Sequence, residues 1–155
     1  MVMTLAKSRQ HPLIEQLQME PHPEGGYFRQ IFESSKQVNS PSHGQPRPAM
    51  THIYFLLLEG QISRFHRVLH DEVWNFYEGA PLRLYQIHQQ QLREQRLGDA
   101  AHGYAAIVPA GNFQAAETTG DYTLVGCSVA PGFDFADFSF IEEHGTQDRL
   151  SRSGI

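Results

Sequence analysis

From Thr51 onward the chain is a succession of short strand-like runs: THIYFLLL, SRFHRV, EVWNFY, LRLYQIH, QLREQRL, YAAIV, QAAET and DYTLVGCSVA. They are separated by EG, EGAP, HQQ, GDAAHG, PAGN and TGD. Short strands at regular intervals, most of them ended by a Gly or Pro turn, predict an antiparallel sandwich or barrel. No linker interrupts the series and no segment repeats. Residues 1–155 therefore read as a single domain, with a core over about 10–141 and a polar tail over 142–155.

Upstream of the series, Leu13, Ile14 and Leu17 stand at helical spacing in QHPLIEQLQM, with Pro12 suited to a first turn. A short amphipathic helix is expected over residues 10–19. EPHPEGG (20–26) is a turn cluster, and YFRQIFE (27–33) reads as a strand. Residues 35–48, SKQVNSPSHGQPRP, are polar and rich in Pro and Ser, which predicts a mobile loop. Near the C-terminus, Phe133, Phe135, Phe138 and Phe140 crowd together, as expected of aromatics that seal one side of a barrel or a subunit contact.

Composition removes several function classes. The formal charge is -5 and the basic residues are scattered, which argues against a nucleic-acid surface. No apolar run is long enough for a membrane helix. The N-terminal MVMTLAKSRQHPL has no hydrophobic segment of the signal-peptide type. Cys127 is the single cysteine, so no intrachain disulfide forms. It is expected to be a small buried apolar residue, and a cytoplasmic protein is the default reading.

Two stretches carry candidate chemistry. The first runs from Gly60 to Gly79, with His66, Val68 and Glu72 at fixed intervals between the glycines. The second runs from Gly103 to Thr118, with Pro109, Gly111 and Gln114. This layout resembles the paired motifs of the cupin superfamily, G-x5-H-x-H-x3-4-E-x6-G and G-x5-P-x-G-x2-H-x3-N. More narrowly, HPEGGYFRQIFES, THIYFLLL, SRFHRVLHDEVWNFYEG, VPAGNFQAAE and LVGCSVAPGFDFADF resemble the DUF985 (Cupin 5) family of uncharacterised cupins. The resemblance implies an all-β double-stranded β-helix, the cupin jelly-roll barrel, carrying the short N-terminal helix. It also implies similarity of fold to the dTDP-4-dehydrorhamnose epimerases (RmlC-like proteins), which is an analogy of fold and not of activity.

In a metal cupin, three histidines and a glutamate converge on one divalent ion. His66 and Glu72 hold the first histidine and the glutamate positions, but Val68 cannot ligate and Gln114 is a weak neutral donor. His70 lies near the vacant position at the wrong spacing. No cofactor is therefore expected to be required, and the alternative is a weak divalent site of His66, Glu72 and Gln114. Without metal, His66 is a natural general base with Glu72 as its catalytic partner, Asp71 or Glu72 orienting it and a tyrosine (Tyr27, Tyr54 or Tyr85) as acid. Arg29, Arg64 and Arg67 are the candidate cations for a nucleotide diphosphate. Trp74 and Phe76 share the strand parity of Glu72 and are either pocket walls or core. Gly25 and Gly26 read as turn residues, and His11, His22, His43, His88, His102 and His144 are assigned no role.

The leading expectation is a small-molecule-binding protein, acting as a metal-independent isomerase or epimerase on a carbohydrate-like or nucleotide-sugar ligand. Its catalytic residues would be His66 and Glu72, and its ligand contacts Tyr27, Arg29, Tyr54, Arg64, Trp74, Phe76 and Gln114. Beside it stand a non-catalytic binding or sensing module using Trp74, Phe76 and Gln114, and a metal-dependent oxygenase or isomerase, which Val68 and Gln114 disfavour. In related folds the N-terminal strand crosses to a neighbouring subunit. That would carry Tyr27 and Arg29 to a pocket edge or interface, so a homodimer is expected, with neither nucleic acid nor membrane as partner.

Overall fold

A computed structural model describes residues 11–147. The N-terminal stretch read for a signal segment, up to Gln10, and the polar residues 148–155 lie outside the described residues. A short helix α1 (Pro12–Gln16) leads into β1 (Glu20–Pro21), β2 (Tyr27–Glu33), β3 (Gln37–Asn39) and β4 (Pro46–Pro48). Then follow β5 (Thr51–Leu58), β6 (Ile62–Arg67), β7 (Asp71–Gly79), β8 (Leu82–His88) and β9 (Gln91–Leu97). The last strands are β10 (Ala105–Val108), β11 (Phe113–Thr118), β12 (Tyr122–Ala130) and β13 (Ser139–Phe140), with 3-10 turns at Phe135–Asp137 and Ile141–Gln147. Among the described residues no helix is long and apolar enough to cross a membrane.

The strands form a six-stranded sheet, β1-β2-β5-β12-β7-β10, facing a five-stranded sheet, β13-β6-β11-β8-β9. Every pairing is antiparallel, as expected of the double-stranded β-helix. Strand alternation sorts the side chains into three apolar layers. Phe55 and Leu57 of β5 point between the sheets and pack with Trp74, Leu82, Leu84, Leu97 and Val125. Their neighbours Leu56 and Leu58 point outward, where Leu13, Ile14 and Leu17 of the helical segment cover them. On the other sheet Phe65, Tyr85, Ile87 and Phe113 point outward and pack with Ile141 at the start of the last 3-10 turn.

Two expectations are corrected. The helix is shorter than residues 10–19, because Gln18 takes a positive φ of 53° that ends it. Residues 35–48 are not a structureless loop: β3 and β4 pair with Val38 opposite Arg47. Ser40 is buried, with its hydroxyl hydrogen-bonded to His70 and accepting from the Ser42 amide. Polar composition concealed these side-chain bonds. Within the chain β2 pairs with β5, setting Phe28 opposite Phe55 and Arg29 opposite Tyr54. A bulge between Gln30 and Phe32 shifts this register and brings Glu33 opposite Thr51.

Candidate functional site

Glu72 and His66 reach the barrel interior from facing sheets, on β7 and β6. Gln114 of β11 stands opposite His66 in the ladder and is fully buried. The Trp74 indole N–H donates to Gln114 Oε1 at 2.8 Å, and Gln114 Nε2 donates to Glu72 Oε1 at 2.8 Å. An indole nitrogen can only donate, so Trp74 fixes which end of the amide faces the glutamate. The side chain that the spacing offers as an oxygen ligand therefore presents an N–H to the site.

The turn before β2 supplies two further groups, His22 and Glu24, both buried. The Glu24 carbonyl accepts from Arg64 N at 2.8 Å, which pins the turn to β6. Gly25, at φ 115°, makes that approach sterically possible, because a Cβ there would run into the Ile62 carbonyl. Glu24 accepts a hydrogen bond from the Ser63 hydroxyl. Its Oε1 lies 3.3 Å from His22 Nδ1 and 3.5 Å from His66 Nε2. No role was expected for His22; a PHPEGG turn close to a buried β6 serine is visible only once the chain is folded.

These groups line a cavity of about 330 Å³. Its walls are Phe28, Gln30 and Glu33 of β2, Thr51 and Ile53 of β5, and Cys127 and Val129 of β12. Phe133, Asp134 and Phe135 of the C-terminal segment complete it, with Val68 after β6. Phe138 stacks on His66 with centroids 5.0 Å apart and an interplanar angle of 21°.

Burial sets the electrostatics. It lowers the His66 pKa, an effect partly opposed by the bond between Nδ1 and the Arg64 carbonyl at 2.6 Å. His22 is lowered for the same reason. Glu24 is raised by burial, and Glu72 is pushed up to about 7 by burial and then by the neighbouring Glu24 charge. Cys127, a buried free thiol, is raised well above its ordinary value by burial and by both carboxylates.

Of the residues expected at the site, His66 and Glu72 line the cavity, and Glu24 joins them. Gln114 and Trp74 stand behind Glu72 as its support, and Phe76 packs on the core. Tyr27 and Tyr54 pack on the outer helix-covered layer and Tyr85 on the outer face of the other sheet, so none of the three lines the cavity as an acid. Asp71 accepts from the Ala110 amide at 2.8 Å, which joins the turns of the two motifs. The three arginines are outside the lining: Arg29 is exposed, Arg64 lies over the Phe140 ring and Arg67 over Phe113. The expected cations for a diphosphate therefore stand outside the cavity lining.

The donor set does not fit the metal of this fold family. Valine occupies the second histidine position, and the Gln114 oxygen faces Trp74. His70 does not replace them: its Nε2 is bonded to Ser40 at 2.8 Å and its Nδ1 lies 3.9 Å from Asp137. Among the described residues, the His/Cys/Asp/Glu group whose ligand atoms all lie within 4.8 Å of one another is His43, His70 and Asp137, a His/Asp triad outside the cavity. Both Asp137 oxygens there are bonded to the Arg47 guanidinium.

Comparison with known proteins matches the geometry. The family described as Cupin superfamily (DUF985) matches residues 11–141. A protein of Shewanella oneidensis, SO0799, superposes with a TM-score of 0.78 at 34% identity, covering 93% of this chain and 94% of that one. A hypothetical protein from Leishmania major gives a TM-score of 0.80 at 30% identity over 90% of this chain and 93% of that one. An uncharacterized protein of Saccharomyces cerevisiae is 28% identical over 84% of this chain and 74% of its own length.

Proposed function

The chain belongs to the DUF985 family of the cupin superfamily, and on that premise we propose that its cavity binds a small carbohydrate-like molecule and moves a proton on it without a metal. One observation carries this reading. A buried imidazole and a buried carboxyl share the cavity with pKa values displaced in opposite directions. His66 Nδ1 holds its proton against the Arg64 carbonyl, so Nε2 presents the lone pair. Burial keeps that nitrogen unprotonated at neutral pH. Glu72, near 7, retains its proton on a large fraction of molecules and serves as the acid. A proton leaves a carbon beside a carbonyl for His66 Nε2, and Glu72 returns one to the ligand. Glu24, 3.5 Å from Nε2, stabilises the imidazolium that forms.

The test is hydrogen exchange at carbon. Aldoses and ketoses that raise the thermal midpoint are incubated with the protein in D2O and followed by proton NMR. Deuterium is expected at the carbon next to the carbonyl, with loss of roughly 10²- to 10⁴-fold in rate for His66→Gln and Glu72→Gln. An undiminished rate in the folded His66→Gln variant would remove His66 as the base. Binding without exchange by the unaltered protein would assign the cavity to a non-catalytic module.

Two coarser readings belong with this proposal. A homodimer is supported by exposed apolar side chains, Tyr104 before and Ile107 on the edge strand β10. A cytosolic location is supported by the free thiol of Cys127.

A further inference from the structure

The floor of the cavity holds more hydrogen-bond acceptors than protons. His22 Nδ1 accepts from the Glu24 amide at 3.1 Å, so that nitrogen carries no hydrogen. His66 Nε2 carries none because Nδ1 is the donor to Arg64. Between them lies Glu24 Oε1, 3.3 Å from one and 3.5 Å from the other. His66 is 2% exposed and its Nε2 has no hydrogen-bond donor among the described residues, although it faces the cavity. An acceptor that faces the cavity without a protein donor is open to a donor from a ligand. Farther out, the bulge in β2 turns Glu33 to the cavity, and Asp134 faces it from the C-terminal segment. Both are exposed. Four carboxyl groups thus line the cavity, and among the described residues no lysine or arginine does. The nearby Arg47 guanidinium is already bound to Asp137.

An ammonium group is all donors and carries the complementary charge. Phe28, Phe133 and Phe135 add aromatic surface that favours a cation over a neutral group. A divalent metal suits the floor less well, because His22, Glu24 and His66 are not a set of ligand atoms all within 4.8 Å of one another. We infer that the ligand is a small amine, an ammonium group on a short hydroxylated skeleton such as an amino sugar, with the ammonium donating to Glu24 Oε1. The inference rests on the ligand-cavity reading above and narrows its substrate class. An ammonium on Glu24 brings the carbon that bears it toward His66 Nε2, because the two acceptors are 3.5 Å apart.

Matched probes test it: glucosamine, glucose and glucuronate, and benzylamine, benzyl alcohol and benzoate. Trp74 is the single tryptophan, so its indole N–H gives one NMR resonance, coupled to the cavity through Gln114 and Glu72. Titrations of that resonance, with calorimetry, give the affinities. In at least one set the amine is expected to bind about tenfold or more tightly than the alcohol, as a charge-assisted hydrogen bond implies, and the acid more weakly than both. Glu24→Gln is expected to erase the amine preference, so that amine and alcohol bind alike. If that variant does not fold, the exposed pair Glu33→Gln and Asp134→Asn is expected to weaken amine binding several-fold at low salt and not at high salt. Equal binding of amine and alcohol, or tighter binding of the acid, overturns the inference and leaves the cavity reading intact. Displacement of the amine by zinc or manganese(II) at lower concentration overturns it in favour of a metal. Failure of all six probes to bind overturns both readings.

Discussion

Glu72 is governed by a chain of two hydrogen bonds that starts in the core. The Trp74 indole orients Gln114, and Gln114 donates to the carboxyl. Trp74→Phe is expected to destabilise the protein by about 2 kcal/mol, because it leaves the Gln114 oxygen buried without a donor. Urea unfolding at neutral pH measures this; a loss below a few tenths would show that the relay contributes nothing. The raised pKa of Glu72 has a definite sign in stability. Between pH 4.5 and about 7 the folded protein holds a proton on Glu72 that the unfolded chain releases, so stability falls as pH rises through that window and then levels off. Glu72→Gln is expected to remove this fall, making the variant more stable than the parent at pH 8 by on the order of 3 kcal/mol. The lowered pKa values of His22 and His66 act oppositely: their contribution is present above the ordinary histidine value and is lost as pH falls from there through the lowered folded values. Unfolding curves of parent and variant at several pH values separate the two effects. At this scale the sequence showed Glu72 and His66 plainly, because their motif spacing is rigid. It hid the identity of Gln114 as a donor, which depends on an indole two residues along β7 from Glu72.

Among the elements, the segment from Gly132 to Phe140 closes the cavity with Phe133, Asp134 and Phe135 and lays Phe138 on His66. It is fastened by Asp137, whose oxygens meet Arg47 Nε and Nη2 at 2.9 and 3.0 Å and His43 Nε2 at 2.9 Å. Those bonds with Arg47 hold the Asp137 carboxyl below its ordinary range, so their stabilisation is present above the usual aspartate pKa and is lost as pH falls through the lowered value. Asp137→Ala is expected to raise the rate of proteolysis within residues 132–140 several-fold at neutral pH while the barrel stays folded. An unchanged cleavage rate would show that the aromatic contacts alone hold the segment. The phenylalanine spacing announced a sealing role for this stretch. Its fastening was illegible, because the partner residues lie in the Pro- and Ser-rich hairpin, whose composition reads as loop and whose order comes from long-range bonds.

At the level of the whole molecule, the antiparallel barrel was legible from the cadence of turns, since each glycine or proline ends a strand for a local reason. The cavity was only half legible. Its barrel wall comes from residues at motif spacing, but its acceptor-rich floor comes from His22 and Glu24, placed by the contact of a turn with β6. Tyr104 and Ile107 are 56% and 62% exposed, at the β10 edge. If this edge is the homodimer contact, Ile107→Lys is expected to convert a dimer to a monomer in light scattering coupled to size-exclusion chromatography. A parent protein that elutes as a monomer would refute the dimer outright.

The cavity draws on the turn before β2, the middle strands and the segment after β12, so its parts emerge from the ribosome at three separate times. Strands β5 to β11 can pair as they appear, but the capping phenylalanines arrive after every strand of the six-stranded sheet. A chain arrested before Phe133 would carry His66 and Glu72 and still have no closed chamber around them. The chamber is therefore completed only after the strands that carry its polar groups, and a shorter nascent chain holds those groups uncapped.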